Sequence, residues 1–198
     1  MTEPRVRDLA IADCSDSLKA GLKGPRAAAW LGECGISVPA GANTWLPLPG
    51  GGLVARLGES EFLLDGAPSS DVISKVLGLL GNPPARVYPV LRQDMVIALI
   101  GPRINEVLLQ TCSIDFTSLD NRTQLVLTSM VGVSIVAIPL QDDRTPTVKI
   151  WADPTFGPYL WRTLLGIVRE LDGELAVRPA YLTTTEEAQW TRRQPTNS

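Results

Sequence analysis

The sequence has no histidine among its 198 residues. Histidine is the usual general base near neutral pH and the commonest metal ligand. Its absence excludes Ser-His-Asp and Cys-His nucleophilic sites and His-based metal centres. Any chemistry on this chain would have to use carboxylates, lysine, tyrosine or a partner's residues. Cysteine is also scarce. Cys14, Cys34 and Cys112 stand far apart with no CxxC spacing, so neither a zinc ribbon nor a redox dithiol is signalled, and reduced buried thiols are expected. Positive charge is not in excess: the net charge is −3 and no Lys/Arg cluster occurs, which argues against a nucleic-acid surface. Long apolar runs are missing too. The best stretch, Val131 to Leu140, is interrupted by Gly132, Ser134 and Pro139 and falls short of the roughly 18 apolar residues of a membrane span. MTEPRVRDL lacks the apolar region of a secretory signal. These absences lead us to expect a cytoplasmic protein with neither membrane nor nucleic acid as partner.

What remains is an ordinary globular composition, 44% hydrophobic and 20% charged, enough for one large domain or two small ones. The strongest internal signal is a repeat. GLKGPRAAAWLGECGI (21–36) and ALIGPRINEVLLQTCSI (98–114) both carry Leu-x-Gly-Pro-Arg or Leu-Ile-Gly-Pro-Arg before a helical run, with the glycines 77 residues apart. Gly24 is expected as an N-cap with Pro25 at the first helical position. Ala27, Trp30, Leu31 and Cys34 then form one apolar stripe, matched by Ile104, Val107, Leu108 and Thr111, and Gly35 is expected to end the first helix. A Pro/Gly-rich loop (VPAGANTWLPLPGGG) leads to a hairpin, Leu53–Leu57 and Glu61–Leu64. The second half offers strands at Leu125–Thr128, Val131–Pro139 and Thr147–Trp151. A second helix follows in each half, capped at Ser70/Asp71 and at Asp153-Pro154 and stopped by Gly81 and Gly173. Short Val-x-Pro strands close each half, at Val87–Val90 and Val177–Ala180, where proline points to an edge or terminal position. The expected fold is α+β: tandem ferredoxin-like split βαβ units with antiparallel sheets, spanning 1–90 and 91–181, then a polar tail at 182–198.

Several segments together resemble the gamma subunit of heterotetrameric sarcosine oxidase: GLKGPRAAAWLGECGISVP, GGLVARLGESEFLLDG, YPVLRQDMVIALIGPR, LTSMVGVSIVAI and WADPTFGPYLWRTLL. The likeness runs from about Leu9 to Tyr181. It implies the fold of the first two domains of the glycine-cleavage T-protein (aminomethyltransferase), and alpha, beta and delta-type partner subunits. It also implies that tetrahydrofolate, FAD, FMN and NAD are held elsewhere in such a complex, with no redox cofactor on this chain. Aminomethyltransferases carry an Asp on the strand after a Gly-Gly-type turn. The matching stretch here, Met130 to Val136, has no acid, and Ser134 cannot replace one. The family's third, jelly-roll domain is also missing from this length. No catalytic residue is therefore transferred.

The residues singled out for contact are few. Arg26 and Arg103 are candidates for anion or interface contact, set against the plainer reading of Gly-Pro-Arg as a helix-start turn. Trp45, in its Pro/Gly-rich loop, is a candidate for ligand or partner contact, and Trp190, isolated in the polar tail, for anchoring a partner. Met130 could line a cleft but is more simply core. Trp30, Trp151 and Trp161 read as core, Arg92 and Asp94 as an ion pair, Asp142-Asp143-Arg144 as a solvated turn and Asp153 as a helix cap. Three functions compete. The first is a non-catalytic gamma-type subunit of a complex that oxidatively demethylates an N-methyl amine. The second is a free-standing folate-binding accessory protein. The third is a homodimeric scaffold.

Overall fold

In the computed structural model of the chain, the structure describes residues 8–119, 123–141 and 145–176. The elements in chain order are β1 (Ala10–Asp13), β2 (Leu18–Lys23), α1 (Ala27–Glu33), β3 (Thr44–Pro47), β4 (Leu53–Arg56), β5 (Glu61–Gly66), α2 (Asp71–Leu80) and β6 (Tyr88–Val90). There follow β7 (Met95–Ile100), α3 (Ile104–Thr111), β8 (Val126–Met130), β9 (Val133–Gln141), β10 (Pro146–Ala152), α4 (Gly157–Glu170) and β11 (Glu174–Leu175). They form two compact units. One holds Asp16–Arg92; the other holds residues 8–15 and 93–176.

The first unit is a five-stranded antiparallel sheet in the order β3-β4-β5-β2-β6. Strand alternation sorts its residues by face. Leu22, Val54, Phe62 and Leu64 point to the helical side and meet Leu31 of α1 and Ile73 and Val76 of α2 in one core. Each such fully buried side chain contributes about 1.5–3 kcal/mol of apolar transfer. α2 starts where Ser70 Oγ accepts from the Ile73 N–H. α1 ends in a Schellman arrangement, with Gly35 left-handed and the Ile36 N–H donating to the Leu31 carbonyl.

The second unit has the order β11-β1-β7-β10-β9-β8, antiparallel except for the β1/β11 pair. Its core joins Ile11, Ile97, Leu99, Ile135 and Ile150 to Val107 and Leu108 of α3 and to Leu160, Leu164 and Val168 of α4.

The two units share one plan. β2, α1, β3, β4, β5 and α2 correspond to β7, α3, β8, β9, β10 and α4. Registers agree as well: Lys23, before the first Gly-Pro-Arg, opposes Glu61 and Tyr88, and Ile100, before the second, opposes Thr147 and Ala10. That register sets β1 in the place that β6 occupies in the first unit. The chain's first strand thus belongs to the second sheet, not to a 1–90 half, because its apolar residues Leu9 and Ile11 complete the core beside β7.

The α+β class and antiparallel sheets match the sequence expectation, but the described residues form five strands in the first unit and six in the second, where a split βαβ unit has four. In the first unit a three-stranded meander, not the expected hairpin, separates the helices; in the second the three strands offered by the sequence are present. β5 and β10 thus return antiparallel to β2 and β7. The sequence does not show β1, and it hides β3. β3 is four residues long, ends in Pro47 and lies inside a segment whose prolines and glycines read as loop. Helix starts also differ: α1 begins at Ala27 and α3 at Ile104, with Arg26 and Arg103 as N-caps that make no capping side-chain bond. The last helix is closed by left-handed Asp172 rather than by Gly173. The expected strand Val177–Ala180, the Asp142-Asp143-Arg144 turn, the tail and Trp190 lie outside the described residues.

Candidate functional site

The two Gly-Pro-Arg turns are built alike. Gly24 (φ 126°) and Gly101 (φ 116°) adopt a backbone that side chains rarely allow. Each also packs against a carbonyl of a neighbouring chain segment, Arg86 for Gly24 and Asp8 for Gly101, where a Cβ would collide. Two residues on, the Arg26 N–H donates to that Arg86 carbonyl at 3.3 Å and the Arg103 N–H to that Asp8 carbonyl at 3.1 Å. Glycine is therefore required by a close backbone crossing.

The arginine side chains then diverge. Arg103 donates through Nε and Nη2 to both carboxylate oxygens of Glu106, at 2.7 Å each, and through Nη1 to the Leu171 carbonyl at 3.0 Å. This fork holds the Glu106 carboxyl below its ordinary pKa. Arg26, with a 42% exposed side chain, makes a single contact of 3.0 Å to Glu33. The helix after Arg26 has seven residues, too short to build an anion site at its start. An open depression of about 520 Å³ beside it is lined by Gly24, Pro25, Ala28, Arg56, Glu59 and Ser60. The Arg56 guanidinium there is directed at the carbonyls of Pro39, Ala40, Gly58 and Glu59, which makes it a clamp for its own loops.

Trp45 is 7% exposed, and its indole Nε1 is buried without a hydrogen-bond partner. It stands on the sheet face opposite α1 and α2, in a row with Ala55 and Leu63. Met130 is fully buried in the core of the second unit. Among the described residues no group of three or more metal-type side chains occurs, and no helix is long and apolar enough to cross a membrane. The described cysteines are free thiols, and burial pushes the Cys34 thiol up.

Two buried charges lie in the β-strands. Asp65, fully buried on β5, accepts from Ser17 Oγ at 2.9 Å. Lys19 Nζ donates to Ser17 Oγ at 3.1 Å and to the Ser17 carbonyl at 2.9 Å, so acid, hydroxyl and amine form one chain of contacts. In the second unit Lys149 is buried on β10 with its Nζ 5.2 Å from the Trp151 ring centre. Register makes Asp65 the counterpart of Trp151 and Leu63 the counterpart of Lys149. The sequence reading passed over Asp65 and Lys149. The available signal was alternation: Phe62 and Leu64 point to the helices, which leaves Asp65 on the other face of a buried strand.

No protein-family model matches the sequence, and no curated protein matches it. Solved structures do match the fold. A chain of heterotetrameric sarcosine oxidase from Corynebacterium sp. U-96, in complex with pyrrole 2-carboxylate, aligns with TM-score 0.66 and 20% identity, over 87% of this chain and 88% of that one. Glycine cleavage system aminomethyltransferase T from Bartonella henselae aligns with TM-score 0.63 and 15% identity, over 80% of this chain. The fold is aminomethyltransferase-like. This chain spans 46% of that aminomethyltransferase. Within the aminomethyltransferase-like fold, the turn Val131-Gly132 joins β8 to β9, and Ser134 on β9 is exposed. A buried, hydrogen-bonded carboxylate is found instead at Asp65, on a strand of the other unit.

Proposed function

We infer that this chain is a non-catalytic, gamma-type subunit of a sarcosine-oxidase-like flavoprotein complex. The complex oxidatively demethylates an N-methyl amine, with tetrahydrofolate as the one-carbon acceptor. The observation that carries this reading is the span of the likeness. It covers nearly the whole of a chain from a heterotetramer, but less than half of an aminomethyltransferase. The chemistry of the residues points the same way. There is no histidine, and the strand after the Val131-Gly132 turn carries no acid. Arg103 and Arg56 are committed to internal contacts. In this reading alpha, beta and delta-type subunits hold FAD, FMN, NAD and the folate, the assembly is cytoplasmic, and this chain supplies interface. Co-expression with flavin-bearing amine oxidase subunits tests it. Co-elution in one flavin-containing peak is expected, and a monodisperse lone chain in every combination overturns it.

A second reading, a free-standing folate-binding accessory protein, draws on the aminomethyltransferase-like fold and on the buried Asp65. Calorimetry of the purified chain with tetrahydrofolate separates the two. Heat at high micromolar folate supports the second reading, and none removes it.

A further inference from the structure

The duplication has one unequal edge. In the second unit the outer side of β1 is paired in parallel with β11: the Glu174 N–H donates to the Leu9 carbonyl at 3.1 Å and the Ala176 N–H to the Ile11 carbonyl at 2.9 Å. Arg103 steadies the incoming segment through its bond to the Leu171 carbonyl. In the first unit β6 holds the place of β1. The shared register puts Val87 where Leu9 stands, Pro89 where Ile11 stands and Arg26 where Arg103 stands. Among the described residues no strand pairs with the outer side of β6. Tyr88 is 53% and Leu91 81% exposed along it, the most open apolar side chain of the described residues, and Arg26 holds only its own helix's Glu33.

We propose that the outer edge of β6, from Val87 to Leu91 with Arg26, docks an acidic extended segment of a partner subunit running parallel to β6, as β11 runs along β1. The identification of the partner as a subunit rests on the reading above; the edge itself does not. Two features choose this occupant over a second copy of the chain. The edge is flanked by Lys23 and Arg86, both exposed, and by the part-buried Arg26, so two copies would bring like charges together. The strand that fills the matching edge is itself acidic, with Asp172 and Glu174 around Gly173. Pro89 presents a carbonyl but no N–H. It therefore permits the two acceptor contacts made at Leu9 and Ile11 while denying a full ladder to any passing strand.

The probe is the blocked peptide Leu-Asp-Gly-Glu-Leu-Ala, copied from residues 171–176, titrated into the full chain and followed by amide NMR. Expected are shifts confined to Val87, Tyr88, Val90 and Leu91 that weaken with salt. The Tyr88→Asp/Leu91→Asp double variant, changed only at exposed positions, should weaken binding about tenfold, by roughly the 1.4 kcal/mol that corresponds to that factor. Pro89→Ile restores an outward N–H and should tighten binding about fivefold. No shift at millimolar peptide, or shifts indifferent to all three substitutions, overturns the proposal. So does dimerisation of Pro89→Ile without peptide binding, which would name a second copy as occupant. If flavoprotein subunits co-purify equally with the wild type and the double variant, the edge is wrong and the subunit reading stands. If the peptide binds at β6 and no subunit ever co-purifies, the edge stands and the subunit reading falls.

Discussion

The two units follow the same strand order and register, yet they solve the problem of a sheet edge differently. The second borrows β1 from the start of the chain and then covers it with β11, and Arg103 ties the covering segment down. The first completes its sheet with its own β6, ends it with Pro89 and leaves Arg26 on an exposed ion pair. The difference teaches where a duplicated fold keeps its constraints. The backbone crossing at Gly-Pro-Arg is held in both copies. The side chain that follows it is free to become a structural clamp in one copy and surface in the other.

The strongest test of that picture uses the matched positions Asp65 and Trp151. Trp151 is a nearly fully buried aromatic, and Trp151→Ala should cost about 3–5 kcal/mol, read from denaturant midpoints. Asp65→Ala removes a buried acceptor and strands the Ser17 hydroxyl, for about 1–3 kcal/mol. If Asp65→Ala proved as costly as Trp151→Ala, the polar cluster of the first unit would be holding its sheet as firmly as the aromatic holds the other.

Between those two in size stand the glycines. Gly24→Ala and Gly101→Ala should each combine left-handed strain of about 1–2 kcal/mol with overpacking of about 1–3 kcal/mol against a backbone carbonyl that cannot swing aside. Gly35→Ala has the left-handed φ but open space, and should show the strain alone. Equal, large effects at 24 and 101 would confirm that the repeat is a backbone device. A mild effect at one of them would break the equivalence of the units.

Much of this was legible beforehand, for physical reasons. Period-3.6 stripes exposed the helices, and the repeated Gly-Pro-Arg exposed the duplication. What escaped was long-range. The membership of β1 in the second sheet depends on a pairing across more than 80 residues, which no local pattern encodes. β3 is a short edge strand with too few residues to show alternation. Asp65 was passed over because burial on the second face of a sheet is set by tertiary packing. Arg26 and Arg103 could not be told apart in the sequence, since their difference depends on whether a carbonyl such as that of Leu171 arrives nearby.

The smallest effect separates those two arginines, and pH is the tool. The Arg103 fork lowers the Glu106 pKa, so the pair stabilises the fold fully above the ordinary glutamate range, about 4.3, and the contribution is lost as pH falls through the depressed folded value. Arg103→Ala should lower the thermal midpoint at neutral pH. Its deficit against the wild type should shrink as acid protonates Glu106, leaving at low pH the part owed to the lost Leu171 bond. Arg26→Ala removes one exposed ion pair, about 0–1 kcal/mol, and should leave the midpoint nearly unchanged at neutral pH. Thermal unfolding of both variants across the acid range checks the contrast. A neutral-pH loss at Arg26 as large as that at Arg103 would mean that the first unit has an internal clamp as well, and that the exposed edge of β6 is not where the two copies part ways.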